Sequence, residues 1–223
     1  WRDWSSDVCS SDLLGLLRAW QAGEVAAGRA LIKRHYAGVY RFFFARVDGD
    51  ACEDLTQATF EVLCRKPEGF RGDGATLRGY IFGIARMKLI EHARGRQRQG
   101  ERFDPGEHSL VDPGSLASVS SLLGARQVEF LVAQALRELP LDDQIVLELK
   151  EHEQLTIREL ARLFDAPEGT IAGRVLRARQ RLRAATERLI ADPGLRAGTE
   201  RDLESCMRSI GAKLAEHLRG RQG

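Results

Sequence analysis

Leu155 to Arg183 reads LTIRELARLFDAPEGTIAGRVLRARQRLR, two amphipathic helical segments separated by a Pro-containing turn. Thr156, with Glu159 three residues on, predicts a capping box at the start of the first segment, and Leu155 and Leu160 flank it as a hydrophobic staple. Ile157, Leu160, Ala161 and Phe164 then recur at the spacing that places apolar groups on one helical face. Asp165 and Ala166 break the pattern. Pro167 fits the first position of a second helix, where its missing N–H costs nothing. Along that helix Ile171, Val175, Ala178 and Leu182 form an apolar stripe beside a polar one of Thr170, Arg174, Arg177 and Arg181. One stripe anchors the helix and the other is left to touch something else. This is the layout of a helix-turn-helix. Guanidinium groups in a row suit phosphate oxygens and guanine edges in a major groove, which admits an α-helix. A merely solvated face is the bland alternative, but cap, turn and stripe agree with one another against it. Leu176 falls off both stripes.

The rest of the chain has room for a second packed unit: 223 residues exceed a typical domain of roughly 100 to 150. The balance of 34 Lys+Arg against 32 Asp+Glu, net +2, does not announce a nucleic-acid partner, so local clustering must carry that case. Hydrophobic content of 43% without a membrane-length apolar run indicates a soluble globular protein with no membrane insertion, and the scattered cysteines fit a reducing cytoplasm best. Cys9, Cys52, Cys64 and Cys206 form no C-x-x-C pair, and the histidines show no zinc-ligand spacing. No metal, cofactor or small-molecule substrate is therefore expected. The histidines read as surface or helix-end residues.

Turn-forming clusters divide the chain. Asp104-Pro105-Gly106 and Asp112-Pro113-Gly114, with several serines, read as a flexible connector over residues 99–123. It separates a front domain, 14–98, from a rear one, 124–190, that holds the helix-turn-helix. Asp192-Pro193-Gly194 then opens a tail, 191–223, in which Leu203, Met207, Ile210, Leu214 and Leu218 predict one amphipathic helix. That helix is expected to pack on the adjacent domain or to regulate access to it. Trp1–Leu13 differs in character from the rest of the chain, lacks the features of a signal peptide, and reads as a non-native leader. Every segment with a clear period is helical and no alternating strand pattern competes, so the fold class is all-α.

In the front domain Asp50 and Glu53 offer a second capping box. Cys52, Leu55, Thr59, Val62 and Leu63 line one side of that helix, with Asp54, Gln57 and Glu61 on the other. A glycine-rich loop, Gly69-Phe70-Arg71-Gly72-Asp73-Gly74, leads to a helix with Leu77, Tyr80, Ile81, Phe82, Ile84, Leu89 and Ile90, apolar on more than one side and hence surrounded by neighbours. Its far end carries Arg86, Lys88, Arg94, Arg96, Arg98 and Arg102 against only Glu91 and Glu101, a local basic patch.

These runs together resemble a known family. Glu53-Asp54-Leu55-Thr56-Gln57-Ala58-Thr59-Phe60, then Phe70-Arg71-Gly72-Asp73-Gly74, then Gly79-Tyr80-Ile81-Phe82-Gly83-Ile84-Ala85-Arg86 resemble region two of bacterial extracytoplasmic-function sigma factors. Leu139-Pro140-Leu141, Leu155 to Ala161, Pro167-Glu168-Gly169-Thr170-Ile171, Arg174, Arg177, Ala178 and Arg179 resemble region four. The resemblance implies a subunit that joins core RNA polymerase and directs it to promoter DNA, with room for an anti-sigma partner. It implies polymerase binding through Glu53, Asp54, Leu55, Gln57 and Glu61. It implies engagement of the minus-ten element through Phe70, Arg71, Tyr80, Arg86, Lys88, His92, Arg94 and Arg96, since aromatic stacking and basic groups suit single strands. Major-groove contact at the minus-thirty-five element falls to Glu168, Thr170, Arg174, Arg177 and Arg181. The residues taken alone leave a second reading open, a stand-alone regulator that binds an operator as a dimer. An enzyme is the remote third, because no paired carboxylates, metal-ligand set or nucleophile–base motif accompanies the basic patches.

Overall fold

The computed structural model describes residues 10–65, 70, 74–96, 103–110, 127–190 and 203–221. Among them all the regular secondary structure is helical: α1 (Ser10–Gln21), α2 (Val25–Phe44), α3 (Gly49–Arg65), α4 (Gly74–Arg96), α5 (Gln127–Glu138), α6 (Leu141–Glu151), α7 (Ile157–Phe164), α8 (Glu168–Leu189) and α9 (Leu203–Arg221). The first helix begins inside the segment read as a leader, and its Leu13 and Leu17 are buried. The turn at Asp192-Pro193-Gly194 lies outside the described residues.

The front module, α1 to α4, closes around aromatic residues. Tyr36 stacks on Phe60 at 6.0 Å between ring centroids, and Phe42 meets Phe82 at 6.0 Å. The α3 helix starts two residues earlier than the capping-box reading requires: the Asp48 carboxylate accepts from the Ala51 N–H at 2.9 Å, so Asp48 holds the helix end rather than Asp50. Buried Thr56 and Thr59 satisfy their hydroxyls on the Cys52 and Leu55 carbonyls, at 2.7 and 2.8 Å, which lets polar residues face the core. The α4 helix is enclosed as its composition predicts, with Leu77, Ile81, Phe82, Ile84, Ala85, Leu89, Ile90 and Ala93 all buried.

In the rear module the capping box forms: Thr156 Oγ1 accepts from the Glu159 N–H at 3.2 Å, and Glu159 Oε2 from the Thr156 N–H at 2.7 Å. Asp165 ends α7 in a left-handed conformation, φ 49°, and Pro167 is the N-cap of α8 rather than its first helical residue. Ile171, Val175, Ala178 and Leu182 are buried, so the apolar stripe is the anchor.

The two modules do not hang apart on a free tether. Gly79 and Gly83, one helical turn apart, let α4 lie against α7 so closely that a Cβ on Gly79 would sit 2.3 Å from the Glu159 carbonyl oxygen. Arg46, at the end of α2, is wholly buried: it donates to the Phe42 carbonyl at 2.5 Å and pairs with Glu148 of α6. Arg137 of α5 pairs with the same carboxylate and donates to Gln144 at 2.7 Å. Burial alone would raise the Glu148 pKa, but the Arg137 and Arg46 charges outweigh it and hold the carboxyl below its ordinary range. Arg41 of α2 grips Glu153 with bonds of 3.0 and 2.6 Å.

Residues 103–110 correct the flexible-connector reading for that stretch. Phe103 is buried, and the Pro105 and His108 carbonyls accept from the Asp142 and Leu141 N–H groups, both at 2.8 Å. Pro140 gives α6 no side-chain cap, so this segment supplies the acceptors that a helix N-terminus lacks.

Candidate nucleic-acid interface

With its apolar stripe anchored, α8 turns Glu168, Thr170, Arg177 and Arg181 to the surface, while Arg174 is half-buried. Asp142 and Asp143, the acidic first turn of α6, lie behind the helix and bind two of its arginines: Arg174 meets Asp142 at 3.2 Å and Arg181 meets Asp143 at 2.5 Å. Arg177 makes no ion pair among the described residues. Arg179 is turned away to Glu151 at 2.8 Å and Glu204 at 2.9 Å. Leu176 is exposed on the same side as Arg177. At Gly173 an added Cβ would meet only the flexible Arg177 guanidinium, at 3.2 Å.

The basic end of α4 is only partly free. Arg86 forms a two-pronged bond to Asp142 at 2.8 and 3.0 Å, the geometry in which a guanidinium best matches a carboxylate. The Phe164 ring lies against the guanidiniums of both Arg86, at 5.0 Å, and Arg174, at 5.3 Å. Lys88 pairs with Glu91 at 2.8 Å, His92 is half-buried, and Arg94 and Arg96 are exposed. Phe70 is not presented for stacking here: it is buried with its ring 5.3 Å from that of half-buried Tyr80. Arg71, Arg98 and Arg102 lie outside the described residues.

On α3 the polar face is coherent. Glu53, Asp54, Gln57 and Glu61 are all exposed, Gln57 donates to Glu61 at 2.9 Å, and Leu55 packs half-buried against the core. Behind this face the Cys52 thiol is pushed up to about 12, chiefly by burial, and so stays protonated as a small core hydrophobe. Half-buried His35 is pushed down to about 4, first by burial and then by Arg78 and Arg34. It is a shielded group and not the surface histidine its sequence context suggested.

Sequence reasoning missed Asp142, Asp143 and the part played by the Phe164 ring. Arg86 and Arg174 stand 56 and 32 residues from Asp142, and no local pattern encodes such a meeting. Among the described residues no three His, Cys, Asp or Glu side chains gather to hold a metal, and no helix is long and apolar enough to cross a membrane.

A helical module with a basic helix end, joined to a helix-turn-helix with arginines on its outer stripe, defines a two-module DNA-binding protein. Residues 31–99 match the family described as Sigma-70 region 2, and residues 129–182 match Sigma-70, region 4. The RNA polymerase sigma-H factor of Pseudomonas aeruginosa is 29% identical over 154 residues, covering 65% of this chain and 78% of that one. The ECF RNA polymerase sigma-E factors of Salmonella typhimurium and Escherichia coli are each 26% identical over 180 residues, covering 78% of this chain and 94% of theirs. A co-crystal structure of the sigma factor RpoE with the anti-sigma factor NepR from Bartonella quintana is similar with a TM-score of 0.42 and 20% identity, over 79% of this chain and 95% of that one. The chain belongs to the extracytoplasmic-function sigma factors.

Proposed function

We propose that this chain acts in the cytoplasm as a non-catalytic subunit that docks on core RNA polymerase through α3 and carries it to promoters with α4 and α8. The observation that carries the reading is the outward stripe of α8. Thr170, Arg177 and Arg181 stand exposed on a helix whose opposite stripe is locked in the core and whose entry is fixed by the Thr156–Glu159 box. A rigid helix bearing guanidiniums is the element that major-groove reading requires. In this assignment Glu168, Thr170, Arg174, Arg177 and Arg181 meet the minus-thirty-five duplex. Tyr80, Arg86, Lys88, His92, Arg94 and Arg96, with Arg71 ahead of α4, meet the minus-ten element, while Phe70 supports Tyr80 from the core side. Glu53, Asp54, Gln57 and Glu61 form the polymerase-facing surface, with Leu55 supporting it from the core side. The nucleotidyl chemistry belongs to the polymerase.

The test is transcription reconstituted from purified core enzyme, this chain and a library of promoter fragments. Initiation at defined start sites that disappears when the chain is omitted is the expected result. A chain that binds duplex operators as a dimer yet never initiates with core enzyme would overturn the assignment in favour of a stand-alone regulator.

A further inference from the structure

Helix α8 is gripped on both shoulders, and the grip decides which of its side chains face outward. On one shoulder Arg174 and Arg181 bind Asp142 and Asp143 at 3.2 and 2.5 Å. On the other, Arg179 binds Glu151 of α6 at 2.8 Å and Glu204 of α9 at 2.9 Å. The α9 helix is itself seated on α5 and α6, with Leu203, Met207, Ile210 and Leu214 buried. Together with the core stripe of Ile171, Val175, Ala178 and Leu182, these carboxylates fix the roll of α8 about its axis. At about 100° per residue, the flank opposite the core is that of Gly173, Leu176, Arg177 and Gln180.

Leu176 is the large apolar side chain on that flank, and it is 59% exposed. The turn before it offers only Ala172 and Gly173 on the same side. A helical Cα–Cβ bond leans toward the N-terminus, so the isobutyl group overhangs a bare stretch of helix. The Arg177 guanidinium lies over the same stretch: a Cβ added to Gly173 would meet Arg177 Nη1 first, at 3.2 Å. An apolar knob and a cation thus project side by side, roughly 12 Å from the start of α8 at ~1.5 Å per residue. That is within the N-terminal half of the helix, the part that a recognition helix presents to base edges.

Charge decides what the knob meets. Six arginines of α8 stand against Glu168 and Glu187, which lie at its two ends, so an anionic partner suits this flank better than an apolar protein face. On the floor of a major groove the apolar group on offer is the C5-methyl of thymine, which A·T pairs alone carry.

We infer that Leu176 is a base-reading residue: it meets the C5-methyl of one thymine in the duplex that α8 enters and selects an A·T pair at that position. The inference rests on the major-groove role proposed above for α8 and adds an apolar contact to its cationic ones.

The test uses holoenzyme reconstituted from core polymerase and the full chain, on the promoter that the fragment library selects. Each thymine of the minus-thirty-five element, on either strand, is replaced in turn by deoxyuridine, which removes the methyl and leaves base pairing intact. Initiation at limiting holoenzyme is measured for wild type, Leu176→Met and Leu176→Ala. Wild type should lose about fourfold at one position, as expected for one buried carbon at ~0.8 kcal/mol, and little at the others. Leu176→Met, which keeps an apolar end, should retain that dependence. Leu176→Ala should initiate less well on the thymine promoter and be indifferent to deoxyuridine at that position. It should unfold at the wild-type temperature, because the side chain it shortens is exposed. Wild type unaffected by deoxyuridine at every thymine, a selected element without thymine, or a Leu176→Ala variant that still responds at the same position overturns the inference. Initiation insensitive to every base change across that element is a separate result, which overturns the α8 assignment itself and this inference with it.

Discussion

Glu148→Gln isolates the network on which the two modules close. Glu148 is buried between two guanidiniums: Arg46, fully enclosed at the end of α2, and Arg137 of α5. Replacing the carboxylate by an amide removes the negative charge placed between them and turns an NH2 donor toward a second set of donors. Breaking a buried pair in this way costs about 3–5 kcal/mol, because the orphaned charge stays out of water. The control is Glu138→Gln, which breaks the Arg188–Glu138 pair at 3.0 Å on the open surface, where such pairs contribute at most about 1 kcal/mol. Urea unfolding followed by circular dichroism compares the two. The pH dependence has a definite sign. Because Glu148 titrates below its ordinary range in the native chain, its contribution is complete above that range and is lost as pH falls through the depressed native value. The gap between wild type and Glu148→Gln should therefore narrow in acid. A Glu148→Gln variant within about 1 kcal/mol of wild type at neutral pH would show that Arg46 is hydrated in solution and would refute the buried-pair reasoning.

Arg177→Ala should weaken promoter use by about 1–3 kcal/mol at one base position if the guanidinium reads an edge, or evenly across sequences with a salt slope lower by about 1 if it meets phosphate; unchanged transcription from mutated promoters would remove it from the interface. The double variant Asp54→Ala, Gln57→Ala should lose affinity for core polymerase in pull-down while unfolding within about 0.5 kcal/mol per site of wild type, since both side chains are exposed; undiminished pull-down would move the docking face elsewhere. For His35 the ordinary pKa of 6.5 falls to about 4 in the fold, so only the unfolded chain takes up the proton between those values. Its contribution is full above pH 6.5 and is lost as pH drops toward 4; His35→Gln should flatten that part of the stability profile, and an unaltered profile would assign the acid sensitivity to other groups.

Local order was legible because its causes are local. The Thr156–Glu159 box and the anchor stripe of α8 depend on residues close together along the chain and form as their spacing predicts; on α7 Leu160 and Ala161 are buried as expected, Ile157 and Phe164 pack half-buried, and Leu163 is buried outside the predicted face. The small errors also have local causes. Asp48 competes with Asp50 for the start of α3, and Pro167 satisfies a cap position as readily as a first helical one. The segment 103–110 misled because Asp-Pro-Gly chemistry specifies a turn and says nothing of what the turn rests on. Here its carbonyls cap α6.

By itself the sequence determined an all-helical chain in two modules, the helix-turn-helix and the family, because hydrophobic period, caps and ordered motifs are written along the chain. Tertiary structure alone decided which polar groups would be free. Gly79 and Gly83 remove the side chains that would hold α4 off α7, and that close approach brings Arg86, Arg174 and Asp142 together from three distant helices. Ion pairing acts through space and burial sets its strength, so the partner of a charged residue becomes known only when the packing that excludes water is in place.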